Sequence, residues 1–223
     1  MVWWRHKTGK NSQAQREAVI QEIRDALLEA QAQRERVIQE VRDALWEASE
    51  NKPNNDTKEQ LQFVCEEDVE KIWTPGRIGQ LSSELEWSKQ DLQDQARLRF
   101  LKVLSTLVWI HWDRWEDFGK LFLEPDGRSD RDLPLSNTHF LQNKRLQSSF
   151  EQDQYIFIPV TLKEDDEDNQ DEIDYVSYSK NQRLPLFDSE EIGEGASGKV
   201  TKEAIARKYF FWKVGHLNPE VRL

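Results

Sequence analysis

The residues of this chain best suited to chemistry stand together at positions 191–200, Glu-Ile-Gly-Glu-Gly-Ala-Ser-Gly-Lys-Val. Gly193, Gly195 and Gly198 leave backbone amides free to approach a phosphate closely, and Lys199 adds a cation. Three glycines in six positions are a weak signal alone, so the flanking residues decide. Read as Gly193-x-x-x-x-Gly198-Lys199, the stretch approaches a Walker A loop. That loop needs Ser or Thr directly after its lysine to hold magnesium, and here Val200 stands there, with Thr201 one place late. It also needs β-α units downstream, for which 23 residues leave no room. A dinucleotide-binding fingerprint fails for want of an acidic residue about 20 positions further on.

In the other register, Ile192-Gly193-x-Gly195-x-x-Gly198-x-Val200, the valine becomes part of the pattern. This run resembles the glycine-rich loop of eukaryotic-type Ser/Thr protein kinases. The resemblance implies an antiparallel hairpin in which Ile192 and Val200 sandwich adenine. Gly193, Glu194, Gly195, Ala196, Ser197, Gly198 and Lys199 would then line the ATP phosphates. Arg183–Phe187 would lead into its first strand and Thr201–Ala206 would supply the second. The order of Asp132-Leu-Pro, Ser148-Ser-Phe150, Tyr155-Ile-Phe-Ile-Pro159, Arg183-Leu-Pro185 and then the glycine loop resembles the amino-terminal region of kinase-domain proteins common in filamentous fungi, over about Gly76 to Leu223. The chain departs from that pattern in several places. Ser197 stands where an aromatic is frequent. Lys208 follows Val200 too soon to be the phosphate-holding lysine of a third strand, and Lys213 has the wrong neighbours. There is no His-Arg-Asp catalytic loop and no Asp-Phe-Gly metal motif. The resemblance therefore implies a truncated kinase-like protein whose lysine strand lies past Leu223. On that resemblance its ATP binding would be weak or vestigial, it would have no magnesium site, and it would not be active in phosphoryl transfer alone.

The elements that must position this loop begin with a repeat. Ala14–Ala30 and Ala32–Ala48 agree at 14 of 17 positions, offset by 18 residues. Eighteen residues make five helical turns, so Ile20, Ile23, Leu27 and Ala30 project along the same line as Ile38, Val41, Leu45 and Ala48. One helix from Ser12, its expected cap, to Glu50 follows. The repeat keeps to 3.6 residues per turn, which predicts a nearly straight amphipathic helix rather than a strict-heptad coiled coil. Such a stripe calls for a partner surface: this chain's own middle region, a second copy, or another protein, engaged through residues 13–50.

Asn51–Asp56, with Pro53, reads as a linker. A second helical pattern starts at Thr57. After a break at Thr74-Pro75-Gly76 a longer one runs from Ser88 to Ile110, with Leu92, Leu98, Leu101, Leu104, Leu107 and Val108 buried. Trp112, Trp115, Phe118, Leu121 and Phe122 continue a core stripe rather than forming a stacking platform, and Asp113 with Glu116 suggests a capping box. Glu124-Pro125-Asp126-Gly127 suits a type I turn. Tyr155–Leu162 and Tyr175–Tyr178 read as strands, separated by the acidic run Glu164–Asp168, a solvated loop. The fold class is α+β in three regions: 1–56, the repeated helix and linker; 57–150, a small helical domain; and 151–223, a short antiparallel β segment like the start of a kinase amino-terminal lobe.

A net charge of -11 opposes non-specific nucleic-acid binding. The single cysteine, Cys65, allows no internal disulfide, and no apolar run approaches the roughly 20 residues of a membrane span. The expectation is an intracellular protein, cytoplasmic or nuclear, with no membrane partner. His6, His111, His139 and His216 are scattered, so no metal site is assigned. The alternative to the kinase-like reading is a non-enzymatic interaction or scaffold protein acting through the repeated helix.

Overall fold

The structure, a computed structural model, describes residues 8–49, 62–83, 85–124, 127–163, 181–195, 198–205 and 209–211. It is mostly helical: α1 Thr8–Ala48, α2 Glu66–Ile72, α3 Pro75–Leu81, α4 Gln90–Arg99, α5 Leu101–Trp109 and α6 Lys144–Asp153. Among the described residues the strands are β1 Leu162–Lys163, β2 Leu186–Gly195, β3 Gly198–Ile205 and β4 Phe210–Phe211. β1 pairs with β4 in parallel, and β2 with β3 antiparallel. The expected linker Asn51–Asp56, the helix start at Thr57, the acidic run Glu164–Asp168, the strand Tyr175–Tyr178, Ala196, Ser197, Lys208 and Lys213 lie outside the described residues.

The repeat forms one helix of 41 residues. It starts at Thr8, so Ser12 lies inside it and is not its cap. Gly9 and Asn11 are weak helix formers, but each added residue gains a hydrogen bond once the helix is nucleated downstream. It stops at Ala48, where Ser49 folds back on the Trp46 carbonyl through both its amide and its hydroxyl, at 3.2 and 2.7 Å.

Of the large apolar side chains of the repeat, only those of the second copy reach the core; the first copy buries Ala30 alone, at its carboxyl end. Val37, Val41 and Leu45 are buried with Val69, Ile72 and Trp73 of the α2 region, Ile78 and Leu81 of α3, and Val103, Leu104, Leu107 and Val108 of α5. Trp112, Trp115, Phe118 and Phe122 extend this core as an aromatic run, with Phe118 4.8 Å from Trp87 and 5.0 Å from Phe122 between ring centres. The stripe read as core packing is therefore core, with Leu121 at its edge.

Several elements differ from the pattern in the sequence. The single helix expected over Ser88–Ile110 is two, α4 and α5, broken at Phe100 with φ -135 and ψ 14. Burying the Phe100 ring fully leaves its backbone non-helical, and the Asp130 carboxylate accepts from the amides of Lys102 and Val103 at 3.0 and 2.9 Å, capping α5 afresh. The break turns α4, so Leu98, expected inside, is 82% exposed and Ala96 is buried instead. The break expected at Thr74-Pro75-Gly76 is present, α2 stopping at Ile72, and the same residues begin α3: the Thr74 hydroxyl accepts from Arg77 N, and Pro75 takes the first helical position, where no amide is needed. The capping box lies at Ser129 and Asp132, not Asp113 and Glu116; Asp113 precedes the turn Trp115–Asp117, which has no side-chain cap. Tyr155–Leu162 is not one strand. Gln154–Ile156 is a helical turn and only Leu162–Lys163 is extended, because Ile156 and Phe157 plug the helical core, Phe157 edge-on to Trp109 at 5.9 Å. The turn before Gly127 closes as expected, Gly127 N donating to Glu124 O at 2.8 Å, and a Cβ at Gly127 would collide with the Phe122 carbonyl.

Candidate functional site

The glycine stretch lies in the β2–β3 pair. Gly193 is opposite Val200, Glu194 opposite Lys199 and Gly195 opposite Gly198. A register shift between Glu191 and Gly193 leaves Ile192 bulged out, and its side chain is 60% exposed. A Cβ on Gly193 would meet nothing within 4 Å. The backbone thus brings the segments of Ile192 and Val200 together on adjacent strands. Among the described residues this sheet has two strands.

A more developed site is the surface that receives the second half of α1. Arg34 Nη2 donates to Ser83 O at 3.1 Å, beside the carboxyl end of α3, and Arg42 Nε donates to Val108 O at 3.2 Å, in the last turn of α5. Both guanidiniums therefore sit at helix ends, where carbonyls lack intrahelical partners and the dipole favours a cation. Burial of Arg42 lowers its pKa, with Asp43 opposing that shift. The α5 end owes its shape to His111, which has φ 60: Trp112 N donates to Leu107 O at 2.9 Å and His111 N to Val108 O at 3.2 Å, the hydrogen-bond pattern of a left-handed helix terminus usually given to glycine. Burial, with Arg42 and Arg145 nearby, lowers the His111 pKa, which favours the neutral ring. Val37 and Val41, between the two arginines, and Leu45 beyond Arg42 fill the groove, and Trp46 stacks on Trp109 at 5.9 Å.

Each groove-facing residue of the second copy has a counterpart 18 positions earlier. Arg34, Val37, Ile38, Val41, Arg42, Ala44, Leu45 and Ala48 correspond to Arg16, Val19, Ile20, Ile23, Arg24, Ala26, Leu27 and Ala30, identical but for Val41 and Ile23. In the first copy these apolar groups meet water, apart from Ala30 at its end, which is buried: Val19 is 52% exposed, Ile20 58%, Ile23 55%, Leu27 54%, with Leu28 beside them at 59%.

At the carboxyl end of α5 a cleft of about 990 Å³ is lined by Trp109, His111, Arg114, Arg145, Asp117 and Asp153 among others. Its charges are of both signs, and Arg114 is paired with Asp117. Burial raises the Asp153 pKa, opposed by Arg183. Two buried groups escaped the sequence reading. Burial raises the Asp130 carboxyl to about 6 against the lowering effect of its two backbone hydrogen bonds. Tyr209 is buried and its hydroxyl accepts from Glu66 N at 3.1 Å, tying the strand that follows it to α2. Neither carries a sequence signature, because each acts through a contact distant in the chain. The arginines had one: they recur with the apolar stripe in both copies.

Among the described residues no three His, Cys, Asp or Glu side chains gather in a way that could hold a metal, and no helix is long and apolar enough to cross a membrane. Comparison of the chain with models of known protein families, with curated proteins and with solved structures gives no match.

Proposed function

We propose that this chain is a non-enzymatic protein-interaction protein in which the second copy of the repeat anchors α1 to the helical domain and the first copy is the docking helix. One observation carries this reading: the first copy repeats the arginines and apolar residues by which the second copy binds its groove, yet holds its arginines and large apolar residues in solvent. An unpartnered stripe of this kind on a long helix is the form in which amphipathic helices enter grooves.

The test uses the full chain and its own groove as the probe. Val41→Asp with Leu45→Asp removes the second copy from the groove, and the first copy, one 18-residue slide away, takes its place. A cooperative unfolding transition and buried tryptophan emission are expected to survive in this variant. They are expected to be lost when Ile23→Asp and Leu27→Asp are added. Equal behaviour of the two variants overturns the reading.

A second reading is supported by the antiparallel register that sets Gly193 against Val200: the hairpin as a kinase-like, ATP-binding glycine loop without a catalytic loop or magnesium site. Its support is the strand pairing and the spacing Ile192-Gly193-x-Gly195-x-x-Gly198-x-Val200. Saturable ATP binding at or below about 1 mM, weakened by Gly195→Val, is expected on this reading; no saturation at that concentration removes it.

A further inference from the structure

We infer that the partner of the first copy is the first copy of a second molecule, packed antiparallel; this rests on the docking-helix reading above. Stoichiometry carries the first step. Among the described residues each chain offers one groove and two copies of the helix that fits it, and the groove is filled by the second copy. Any exchange of copies between molecules fills the same grooves and leaves the same number of stripes in water. Among the described surfaces of this chain, the one that matches the stripe left over on one molecule is the stripe left over on another. Pairing the two first copies buries every apolar stripe, closes on a two-fold axis and leaves both grooves filled.

Charge fixes the direction. Glu17 has Gln13, Ala14, Ile20 and Gln21 at the three- and four-residue positions of its own helix, and Arg24 has Ile20, Gln21, Leu27 and Leu28, so neither has an opposite charge at helical spacing. An antiparallel alignment that sets Ile20 against Ile23 of the other helix places Glu17 beside Arg24, and the two-fold axis makes that pair occur twice. The same alignment puts Val19 near Ala26, widening the apolar seam, and Leu27 against the aliphatic stem of Arg16. A parallel alignment instead sets Arg24 against Val19, and Glu17 against Ser12, with no ion pair. The 17 residues from Gln13 to Glu29 give a contact about 25 Å long, which buries less than about 1,200 Å² and belongs with weak associations, in the range of about 10–100 μM.

Sedimentation equilibrium of the full chain tests this, with the unfolding transition recorded for each variant to show that the helical domain is intact. The wild type is expected to pass from monomer to dimer over that range. Glu17→Arg converts two attractions into two repulsions and raises the dissociation constant about tenfold; Arg24→Glu does the same. Glu17→Arg with Arg24→Glu restores the dimer, which a general loss of helix or solubility would not. A monomer at all concentrations to about 1 mM, assembly beyond a dimer, or reversals that weaken association without rescue each overturn the proposal. If the chain stays monomeric while the Val41→Asp, Leu45→Asp variant still folds through its first copy, the docking reading stands and the partner is another protein with a like groove. If that variant fails as well, both readings fall.

Discussion

Leu27 and Leu45 occupy the same place in two copies of one sequence, Asp-Ala-Leu-x-Glu-Ala, so truncating each to alanine separates local helix preference from tertiary burial. Leu45 has no exposed surface and sits in the core; Leu27 is 54% exposed. Removing a fully buried leucine side chain costs about 3–5 kcal/mol, the lost transfer energy plus the cavity left behind. At Leu27 the remaining contacts are within the helix, and alanine is a slightly better helix former than leucine, so the net change stays within about 0.5 kcal/mol. With a urea dependence of about 2 kcal/mol per molar, Leu45→Ala lowers the midpoint by more than about 1 M and Leu27→Ala leaves it in place. Urea titration followed by tryptophan emission reads the difference, since Trp73, Trp87, Trp112 and Trp115 are all buried. The measurement belongs at low micromolar chain, below the dimer range. Equal losses at the two positions, or a loss above about 1 kcal/mol at Leu27, would refute the assignment of the second copy as anchor and the first as free.

Asp130 gives a pH signature. Its carboxyl is raised from 3.8 to about 6 by burial, so the folded state holds the proton more tightly than the unfolded one. The stability tied to that group is full below about pH 4 and declines as pH rises through about 6, by about 3 kcal/mol in all. Asp130→Asn carries no such titration, so the stability of wild type minus variant should fall by about that amount between pH 4 and 7.5. A constant difference across urea midpoints at those pH values contradicts it. Ser105 accepts from the buried indole of Trp73 at 2.8 Å, so Ser105→Ala leaves that N–H unpaired and should cost about 1–3 kcal/mol. In a double-mutant cycle with Trp73→Phe the two losses should fall short of their sum, and strict additivity would deny the bond.

The long helix was legible because an 18-residue repeat is a whole number of turns and no proline lies within it. Its buried face was legible too, but not that only one copy uses it: the two copies present the same stripe, and only the position of the groove separates them. The core tryptophans were readable from spacing, since Trp112, Trp115 and Phe118 follow one another at helical intervals. The break at Phe100 was not, because the acid that caps the new helix, Asp130, lies 27 or more residues further along the chain. The strand expected at Tyr155–Leu162 shows β propensity yielding to packing: Ile156 and Phe157 have the composition of a strand, yet they complete a helical core. The glycine spacing alone was a weak signal, and the antiparallel hairpin came only as an implication of the kinase-loop resemblance; what such a loop binds depends on surfaces that spacing does not specify.

Hydrogen exchange along α1 tests the division of the repeat most directly. At a few micromolar chain, amides of residues 32–48 should be protected as strongly as those of α5, while amides of residues 14–30 exchange at least about a hundredfold faster. Raising the chain to about 200 μM should protect residues 14–30 alone. Uniform protection of both copies at low concentration, or first-copy amides indifferent to concentration, would contradict a docking helix that is free in the monomer and covered by a second copy.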